Sequence, residues 1–286
     1  MNDQRIAIIT DTGTNTPKQF AADHDIREVP LVINYSDGSY RSGVDITTDE
    51  VIDRFATEIP STSLPSPEDI KAALDAVRAD GYERAVFVTI SSGLSATNQT
   101  AHLVAGQMAD FPVAVVDTKS IGVSAGLVVM AAARMVEAGV PFEELAPRLE
   151  ALSADTRVFF AVKDLTYLRH GGRISEPVYR LGTMLNLKPV LYCDANGKYA
   201  TIKKARGWEK ALAAELALVQ QHAAKFARVT VAICCTKAED RLSELAAKVR
   251  ETVPNVADIV LSGISPDLVV HTGPSLVGMA VQPVQA

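Results

Sequence analysis

The sequence predicts an α/β protein of two α/β domains, the first with a mainly parallel sheet. Short runs of consecutive apolar, mostly β-branched residues alternate with longer segments of helical periodicity along the 286 residues. Runs that are apolar at successive positions indicate strands buried on both faces, as in a parallel sheet covered by helices. Near residue 155 the chain becomes more polar and richer in glycine, which indicates that a second domain begins there.

In the first half, apolar runs predict strands at 6–10, 85–90 and 113–117. Helical periodicity predicts helices at 67–79, 97–108 and 127–138. Ser66 and Pro67 are suited to begin the first of these helices, as the N-cap and the first helical residue. Gly139 is suited to end the third.

In the second half, apolar runs predict strands at 158–162, 229–236 and 257–263, and periodicity predicts helices at 208–224 and 238–252. The segment 188–202 reads as a hairpin, because Asn196-Gly197 between apolar stretches is a strong tight-turn signal. From the change in composition near residue 155 we predict two domains, residues 1–155 and 156–286.

The composition excludes several classes of protein. The 28 basic and 34 acidic side chains give a net charge of −6, which does not favour a nucleic-acid partner. The longest apolar run, 125–133, is far shorter than the roughly 18 residues that span a bilayer, and the N-terminus lacks the apolar region of a signal peptide. We therefore expect a cytoplasmic protein without an integral membrane segment. Its three cysteines, Cys193, Cys234 and Cys235, form no CxxC pair and are expected to be buried free thiols.

Two hydroxyl-rich segments precede predicted helices. SSGLSAT, residues 91–97, joins a strand to a helix, and such a junction presents amides, hydroxyls and the positive helix end to an anion. These side chains could equally serve only as helix caps. In PSTSLPSP, residues 60–67, capping accounts for Ser66 and Pro67 but leaves Thr62 and Ser63 unexplained.

Two further segments carry histidine, arginine or paired glycines. His271 of HTGPS follows an apolar run that we interpret as a strand and precedes a glycine-proline turn. It is either a structural histidine or a contact for a carboxylate, since imidazole titrates near neutrality. In RHGGRIS, residues 169–175, cationic side chains flank Gly171-Gly172. The paired glycines indicate a tight turn or a place where another group approaches the backbone closely.

A serine esterase is the alternative from another functional class. GVSAG, residues 122–126, matches the GxSxG pattern of a nucleophile elbow and would use Ser124. In such an elbow the strand runs directly into the first glycine, whereas five residues, 117–121, intervene here. The sequence also lacks HExxH, GxGxxG and GxxxxGK[ST], so neither a metal nor a nucleotide cofactor is expected.

Taken in order along the chain, these segments resemble the DegV family of fatty-acid-binding proteins, the lipid-presenting subunits of bacterial fatty acid kinase. The resemblance runs nearly end to end. Each segment alone is weakly diagnostic, and their order is specific. It is carried by IAIITDT, PLVINYSDGSYRSGVDIT, TSLPSPED, ISSGLSATNQTA, VVDTKSIGVSAGL, LTYLRHGGRIS, LNLKPVL, ARGWEKAL and HTGPSLVG.

This resemblance implies two α/β domains with a long-chain fatty acid buried between them as the ligand. It also implies that the chain has no catalytic activity or cofactor of its own. The bound lipid would be presented to the catalytic subunit of a separate ATP-dependent fatty acid kinase. That kinase would phosphorylate the carboxylate, and the acyl phosphate would feed phospholipid synthesis.

Carried across motif by motif, the resemblance also implies which residues contact the carboxylate. The expected contacts are Thr62, Ser63, Ser92, the amide of Gly93, His271 and Arg206, the last matching an arginine present in part of the family. The sequence departs from the family pattern at Leu64, Ala96 and Ser275, and DTGTNTP differs from the usual DST after the first strand. None of these changes removes an expected hydroxyl or imidazole. They bear on acyl-chain preference and kinase docking.

Overall fold

The computed structural model describes residues 2–184, 187–236 and 239–285. Its strands are β1 (Ile6–Asp11), β2 (Arg27–Val29), β3 (Val32–Tyr35), β4 (Gly38–Arg41), β5 (Ser61–Ser63), β6 (Arg84–Thr89), β7 (Val113–Asp117), β8 (Arg157–Ala161), β9 (Leu187–Cys193), β10 (Tyr199–Arg206), β11 (Val229–Cys235), β12 (Val256–Ser262) and β13 (Val277–Pro283). Its helices are α1 (Lys18–Asp23), α2 (Thr48–Arg54), α3 (Pro67–Ala79), α4 (Thr97–Ala105), α5 (Val123–Glu137), α6 (Phe142–Asp155), α7 (Thr166–His170), α8 (Glu176–Met184), α9 (Trp208–Ala223), α10 (Glu239–Thr252) and α11 (Pro266–Thr272). Short 3-10 turns cover Thr12–Thr14 and Gly273–Ser275.

The strands of the described residues form three sheets. The first is parallel throughout, in the order β2-β1-β6-β7, and every residue of β1 is buried. The second is a six-stranded sheet in the order β10-β9-β8-β13-β11-β12, in which β11 and β12 pair in parallel and the other neighbours are antiparallel. A small antiparallel sheet, β4-β3-β5, completes the set. The predicted α/β class with a mainly parallel first sheet is confirmed.

The described strands of the first and third sheets lie before residue 118, and those of the six-stranded sheet lie after residue 156. Within the described ranges, no sheet combines strands from the two sides of the predicted boundary. The boundary between 155 and 156 itself stays a prediction.

Helix α5 packs between the two larger sheets. It contacts β1 and β6 on one side and β8, β11 and β13 on the other. All but three of its fifteen residues are buried, and a helix that is apolar all round is expected in such a position. In the part of the chain that the structure describes, neither this helix nor another has the length and apolar character needed to cross a membrane.

Several element bounds differ from prediction. Helix α3 matches to the residue, and α4 ends three residues early. Helix α5 begins at Val123, so that Gly122 of the GVSAG segment is its N-cap and the other four residues are helical. Ala238, the predicted first residue of α10, lies outside the described residues. The apolar run before His271 was predicted as a strand and is helix α11, which begins with Pro266 after Ser265. A run of three apolar residues is too short to distinguish a strand from a helix by its periodicity. The preceding Ser265-Pro266 favours the start of a helix.

The Asn196-Gly197 turn joins the two halves of the chain. It connects the antiparallel strands β9 and β10, as predicted, and the Ser91 hydroxyl donates to the Gly197 carbonyl at 2.9 Å. Gly197 has φ +71°, and an added Cβ there would lie 1.8 Å from the Ser91 Oγ. An added Cβ at Gly93 would lie 2.4 Å from the Asn196 carbonyl oxygen. The two loops therefore approach so closely that glycine is required on both sides.

Gly197→Ala is expected to lower the free energy of unfolding by about 2–4 kcal/mol, since left-handed strain adds to overpacking against Ser91. Gly139→Ala is the matched control, because Gly139 also has a positive φ, +80°, with nothing within 4 Å of an added Cβ. That variant is expected to lose only about 1 kcal/mol. Urea unfolding of both variants measures the difference, and equal losses would contradict the contact between the two loops.

Candidate functional site

A polar cavity of about 290 Å³ opens where the two halves of the chain meet. From the first half it is lined by the last two residues of β5 and the residue after them, by Ile90 directly after β6, and by the loop 94–96 that leads to α4. From the second half it is lined by Arg173, Tyr199 and one face of α11. It lies beyond the carboxyl end of β6, where ligands bind in open parallel α/β sheets.

Thr62 and His271 meet in this cavity although 209 positions separate them, with Oγ1 and Nε2 2.7 Å apart. Thr62 is held in β5, where it pairs with Ile33 of β3. His271 lies in the last turn of α11, which packs against β3 and β5. The pair therefore depends on the docking of α11 onto the small sheet.

The imidazole of His271 is partly buried. Its Nδ1 is buried and has no hydrogen-bond partner among the described residues. An added Cβ at Gly171 would lie 2.1 Å from this atom, so the RHGGRIS segment closes directly over the ring. Burial, with the nearby charges of Arg173 and His170, lowers the pKa of His271 to about 3. The ring is therefore neutral at physiological pH.

A carboxyl group and a guanidinium group line the same cavity. Asp267 lies one helical turn before His271 and is 1% exposed. Its Oδ1 accepts from the Ser42 hydroxyl at 2.5 Å, and its backbone amide donates to the same hydroxyl at 3.1 Å. Arg173 donates to the carbonyl of Gly171 and, at 3.4 Å, to the carbonyl of Leu94. This arginine thereby links the loops from the two halves of the chain above the cavity.

An apolar cavity adjoins the polar one. It measures about 30 Å³ and shares Ile121, Tyr199 and Leu268 with the polar cavity. Its other walls include Phe160 and Leu276 of the six-stranded half. The arrangement suits an amphipathic ligand, with a polar group at Thr62 and His271 and an apolar part directed between the sheets.

Residues 5–284 match the family model described as "Uncharacterised protein, DegV family". The chain belongs to the DegV family. It is 34% identical over 279 residues to a DegV domain-containing protein of Clostridium perfringens, covering 98% of this chain and 99% of that protein. Its fold is similar to that of a DegV family protein from Thermus thermophilus described by its fatty acid binding, with a TM-score of 0.90, 30% identity, and coverage of 98% and 100%. A stearic acid-binding protein from Eubacterium ventriosum gives a TM-score of 0.88 at 28% identity, with coverage of 97% and 98%.

Among the residues that DegV motifs suggested for the site, Thr62, Ser63 and His271 line the polar cavity. The Ser92 hydroxyl does not join them. It accepts from the Lys119 ammonium at 2.8 Å, and the Ser92 amide donates to Asp117 at 3.1 Å. The amide of Gly93 donates to the Ser91 hydroxyl at 3.0 Å. The loop thus lines the cavity with its later residues, and Ser92 and Gly93 are not among the lining residues.

Arg206 lies outside the cavity. It is the last residue of β10 and is exposed, whereas Tyr199, the first residue of that strand, lines the cavity. Arg206 lies seven positions further along the strand, roughly 20 Å from Tyr199. In this DegV protein the guanidinium at the cavity comes instead from Arg173, in the RHGGRIS segment.

The motifs did not single out Ser95, Tyr199 or Asp267, which all line the polar cavity. Ser95 belongs to the SSGLSAT segment, but the sequence pattern does not indicate which of its three serines faces a ligand. Asp267 follows Ser265-Pro266 and looks like an ordinary acidic residue in the first turn of a helix. Only its burial beside His271 distinguishes it.

The geometry gives no support to an esterase. Ser124 is fully buried in the first turn of α5, and its hydroxyl has no hydrogen-bond partner in the described ranges. A nucleophilic serine requires access for the substrate and a base within hydrogen-bond reach. Within the same described residues, no three or more His, Cys, Asp or Glu side chains are grouped so that they could hold a metal ion.

Proposed function

We propose that this protein binds a long-chain fatty acid and presents its carboxylate to a separate ATP-dependent fatty acid kinase in the cytoplasm. The kinase forms the acyl phosphate, which feeds phospholipid synthesis, and the chain itself performs no catalysis. One observation supports this most directly. The polar cavity at Thr62 and His271 adjoins the apolar cavity across Ile121, Tyr199 and Leu268. The similarity to DegV proteins described as binding fatty acids supports the same proposal.

The proposed contacts for the carboxylate are hydroxyl groups. The proposed tautomer of the neutral His271 carries its proton on Nε2, which lies 2.7 Å from Thr62 Oγ1. In that tautomer the imidazole donates to Thr62, and the Thr62 proton is directed to the ligand. Ser63 also lines the cavity, although its hydroxyl, on the opposite face of β5 from that of Thr62, accepts from the Asn34 side-chain amide at 3.2 Å. Hydrogen bonds to a charged group contribute about 1.5–3 kcal/mol each, enough to offset the desolvation of one carboxylate with two or three donors.

The acyl tail supplies most of the proposed affinity. About fourteen buried methylenes contribute roughly 11 kcal/mol before ordering costs. The apolar cavity measures only about 30 Å³, which is small for an acyl chain of this length. The side chains around Phe160 and Leu276 therefore move apart to admit the acyl tail. This movement lowers the net free energy gained on binding, and the length of tail that fits depends on how these side chains repack.

The test is native mass spectrometry of the protein purified from its expression host, followed by organic extraction of any bound lipid. The expected result is a stoichiometric mass excess that the extract identifies as a long-chain fatty acid. The protein is then stripped and incubated with hexadecanoate, ATP and a bacterial fatty acid kinase, and acyl phosphate is measured. Absence of fatty acid in the first experiment, together with no uptake of added hexadecanoate, would overturn the proposal. Uptake without acyl phosphate would overturn only the kinase step.

A further inference from the structure

We propose that Asn15 is a positioning residue for the carboxylate site, because it fixes the start of α11 and thereby holds the His271 imidazole against Thr62. This inference rests on the proposed function, since the reaction it affects is the phosphorylation of the fatty acid in the polar cavity. Asn15 itself is not among the residues that line that cavity. It belongs to DTGTNTP, the segment after β1 that departs from the DegV pattern.

The side chain of Asn15 joins the two halves of the chain by three hydrogen bonds. Its Nδ2 donates to the Gly263 carbonyl at 2.8 Å and to the Ser262 hydroxyl at 3.1 Å. Its Oδ1 accepts from the Ser265 backbone amide at 2.7 Å. These partners lie 247 to 250 positions further along the chain. One side chain of the first half therefore holds the loop that leads into α11.

Two features of this position favour asparagine. Asn15 has φ +51°, and asparagine is among the few residues with a side chain that adopt this left-handed conformation readily. The position also needs two donors and an acceptor in one short side chain, which a carboxamide group supplies. Asn15 is 7% exposed, so water does not replace a partner that is lost. An aspartate would keep the acceptor and turn a second acceptor towards the Gly263 carbonyl.

Helix α11 connects this loop to the polar cavity. The loop ends at Ser265, which is the N-cap of α11, and the helix has seven residues. His271 lies about 9 Å further along the helix, with its Nε2 2.7 Å from Thr62 Oγ1. A helix this short moves as one unit, so a shift at its start displaces the imidazole at its end. A misplacement of about 1 Å can lower the rate of a reaction by about a hundredfold.

Two other side chains of the first half hold the same end of α11. Thr48 Oγ1 donates to the Ile264 carbonyl at 2.6 Å. The Ser42 hydroxyl donates to Asp267 Oδ1 at 2.5 Å and accepts from the Asp267 amide at 3.1 Å. These bonds remain when the side chain of Asn15 is removed. Its loss is therefore expected to displace α11 and not to detach it.

The experiment compares Asn15→Gly with the natural chain. Glycine adopts a positive φ without strain, so this variant removes the three hydrogen bonds and adds no backbone strain. The first readout is the rate of acyl-phosphate formation at saturating hexadecanoate with a bacterial fatty acid kinase, together with the affinity for hexadecanoate. We expect the rate to fall about tenfold or more and the affinity to change less than about twofold, because the buried tail supplies most of the affinity.

The second readout is the nitrogen-15 NMR spectrum of labelled histidine side chains, recorded without lipid or kinase. His271→Gln assigns the His271 signals among those of the five histidines. When α11 is displaced, Nε2 moves away from Thr62 Oγ1, so we expect the His271 Nε2 signal to shift in Asn15→Gly. A loss of stability that leaves α11 in place does not move this signal.

Asp25→Gly is the matched control. Asp25 also has φ +51°, and its carboxylate also accepts three hydrogen bonds, from Arg27 and Tyr82, which both lie in the first half. The rate, the affinity and the His271 signal are expected to stay at the values of the natural chain.

The outcomes separate the two proposals. A folded Asn15→Gly with the natural rate, or with a lower rate and an unmoved His271 signal, overturns the positioning role of Asn15. If this variant does not fold, the same two outcomes in Asn15→Asp, which keeps the acceptor for the Ser265 amide, overturn the role as well. Failure of the natural chain to bind hexadecanoate overturns the proposed function instead. An unmoved His271 signal in Asn15→Gly then overturns the placement of α11 by Asn15 independently.

Discussion

Thr62→Ala is expected to lower acyl-phosphate formation about a hundredfold while weakening fatty-acid binding only about tenfold. The buried tail retains most of the affinity when one hydroxyl is removed. The carboxylate, however, loses the Thr62 hydroxyl as a donor, whose oxygen lies 2.7 Å from His271 Nε2. Without that hydrogen bond, the carboxylate oxygen is no longer held in line for the incoming phosphoryl group. Binding is measured by displacement of a fluorescent fatty acid, and phosphorylation by acyl phosphate formed at saturating lipid with a bacterial fatty acid kinase.

Ser61→Ala is the matched control for this experiment. Ser61 neighbours Thr62 in β5, is exposed, and does not line the polar cavity. Both measured quantities are expected to stay at the level of the natural chain. Ser92→Ala is expected to have an effect smaller than that of Thr62→Ala, because its hydroxyl accepts from Lys119. Full acyl-phosphate formation by Thr62→Ala would contradict the proposed head-group contact.

Glu215→Gln is expected to raise the free energy of unfolding at pH 8 and to reduce its dependence on pH. Glu215 lies on α9, is fully buried, and neither carboxyl oxygen has a hydrogen-bond partner in the described part of the chain. Burial raises its pKa well above the usual value of 4.5, and the Met279 backbone opposes this only in part. The folded protein therefore holds this proton at pH values where the unfolded chain has released it.

The sign of the pH effect follows from that difference. Stability is unaffected by Glu215 below about pH 4.5, where both states are protonated. Above that value the free energy of unfolding falls by up to about 1.4 kcal/mol per pH unit, until the pH passes the raised pKa of the folded state. Burial raises the pKa of Asp11 to about 7, so Asp11 also lowers the free energy of unfolding as the pH rises. Glu215→Gln therefore removes only the part of the pH dependence that comes from Glu215.

Urea unfolding at pH 5, 6.5 and 8 measures how the free energy of unfolding depends on pH in the natural chain and in Glu215→Gln. Glu209→Gln serves as the control, since Glu209 lies on the same helix with 73% of its side chain exposed and is expected to leave the slope unchanged. A Glu215→Gln variant with the same pH dependence as the natural chain would show that the buried carboxyl group does not titrate differently in the folded protein.

Local signals were sufficient for some elements. Helix α3 was predicted to the residue because its start is decided within four positions, where Ser66 and Asp69 each bond the other's backbone amide. The Asn196-Gly197 turn was found for the same reason, since its positive φ suits glycine. In contrast, the strands of the small sheet were missed, because they are three or four residues long and partly exposed.

The sequence by itself determined the fold class, the hairpin and the family resemblance, and it named Thr62 and His271 among the candidate contacts. Each of these rests on apolar patterning, backbone preference or motif order, which the chain carries locally. Only the tertiary structure decided that Thr62 Oγ1 meets His271 Nε2, that Ser92 turns towards Lys119 while Ser95 lines the cavity, and that Arg173 lies there instead of Arg206. It alone placed Asp267 in the same cavity. The physical reason is that side-chain direction and burial depend on how α11 packs against β3 and β5, and such packing joins residues about 200 positions apart.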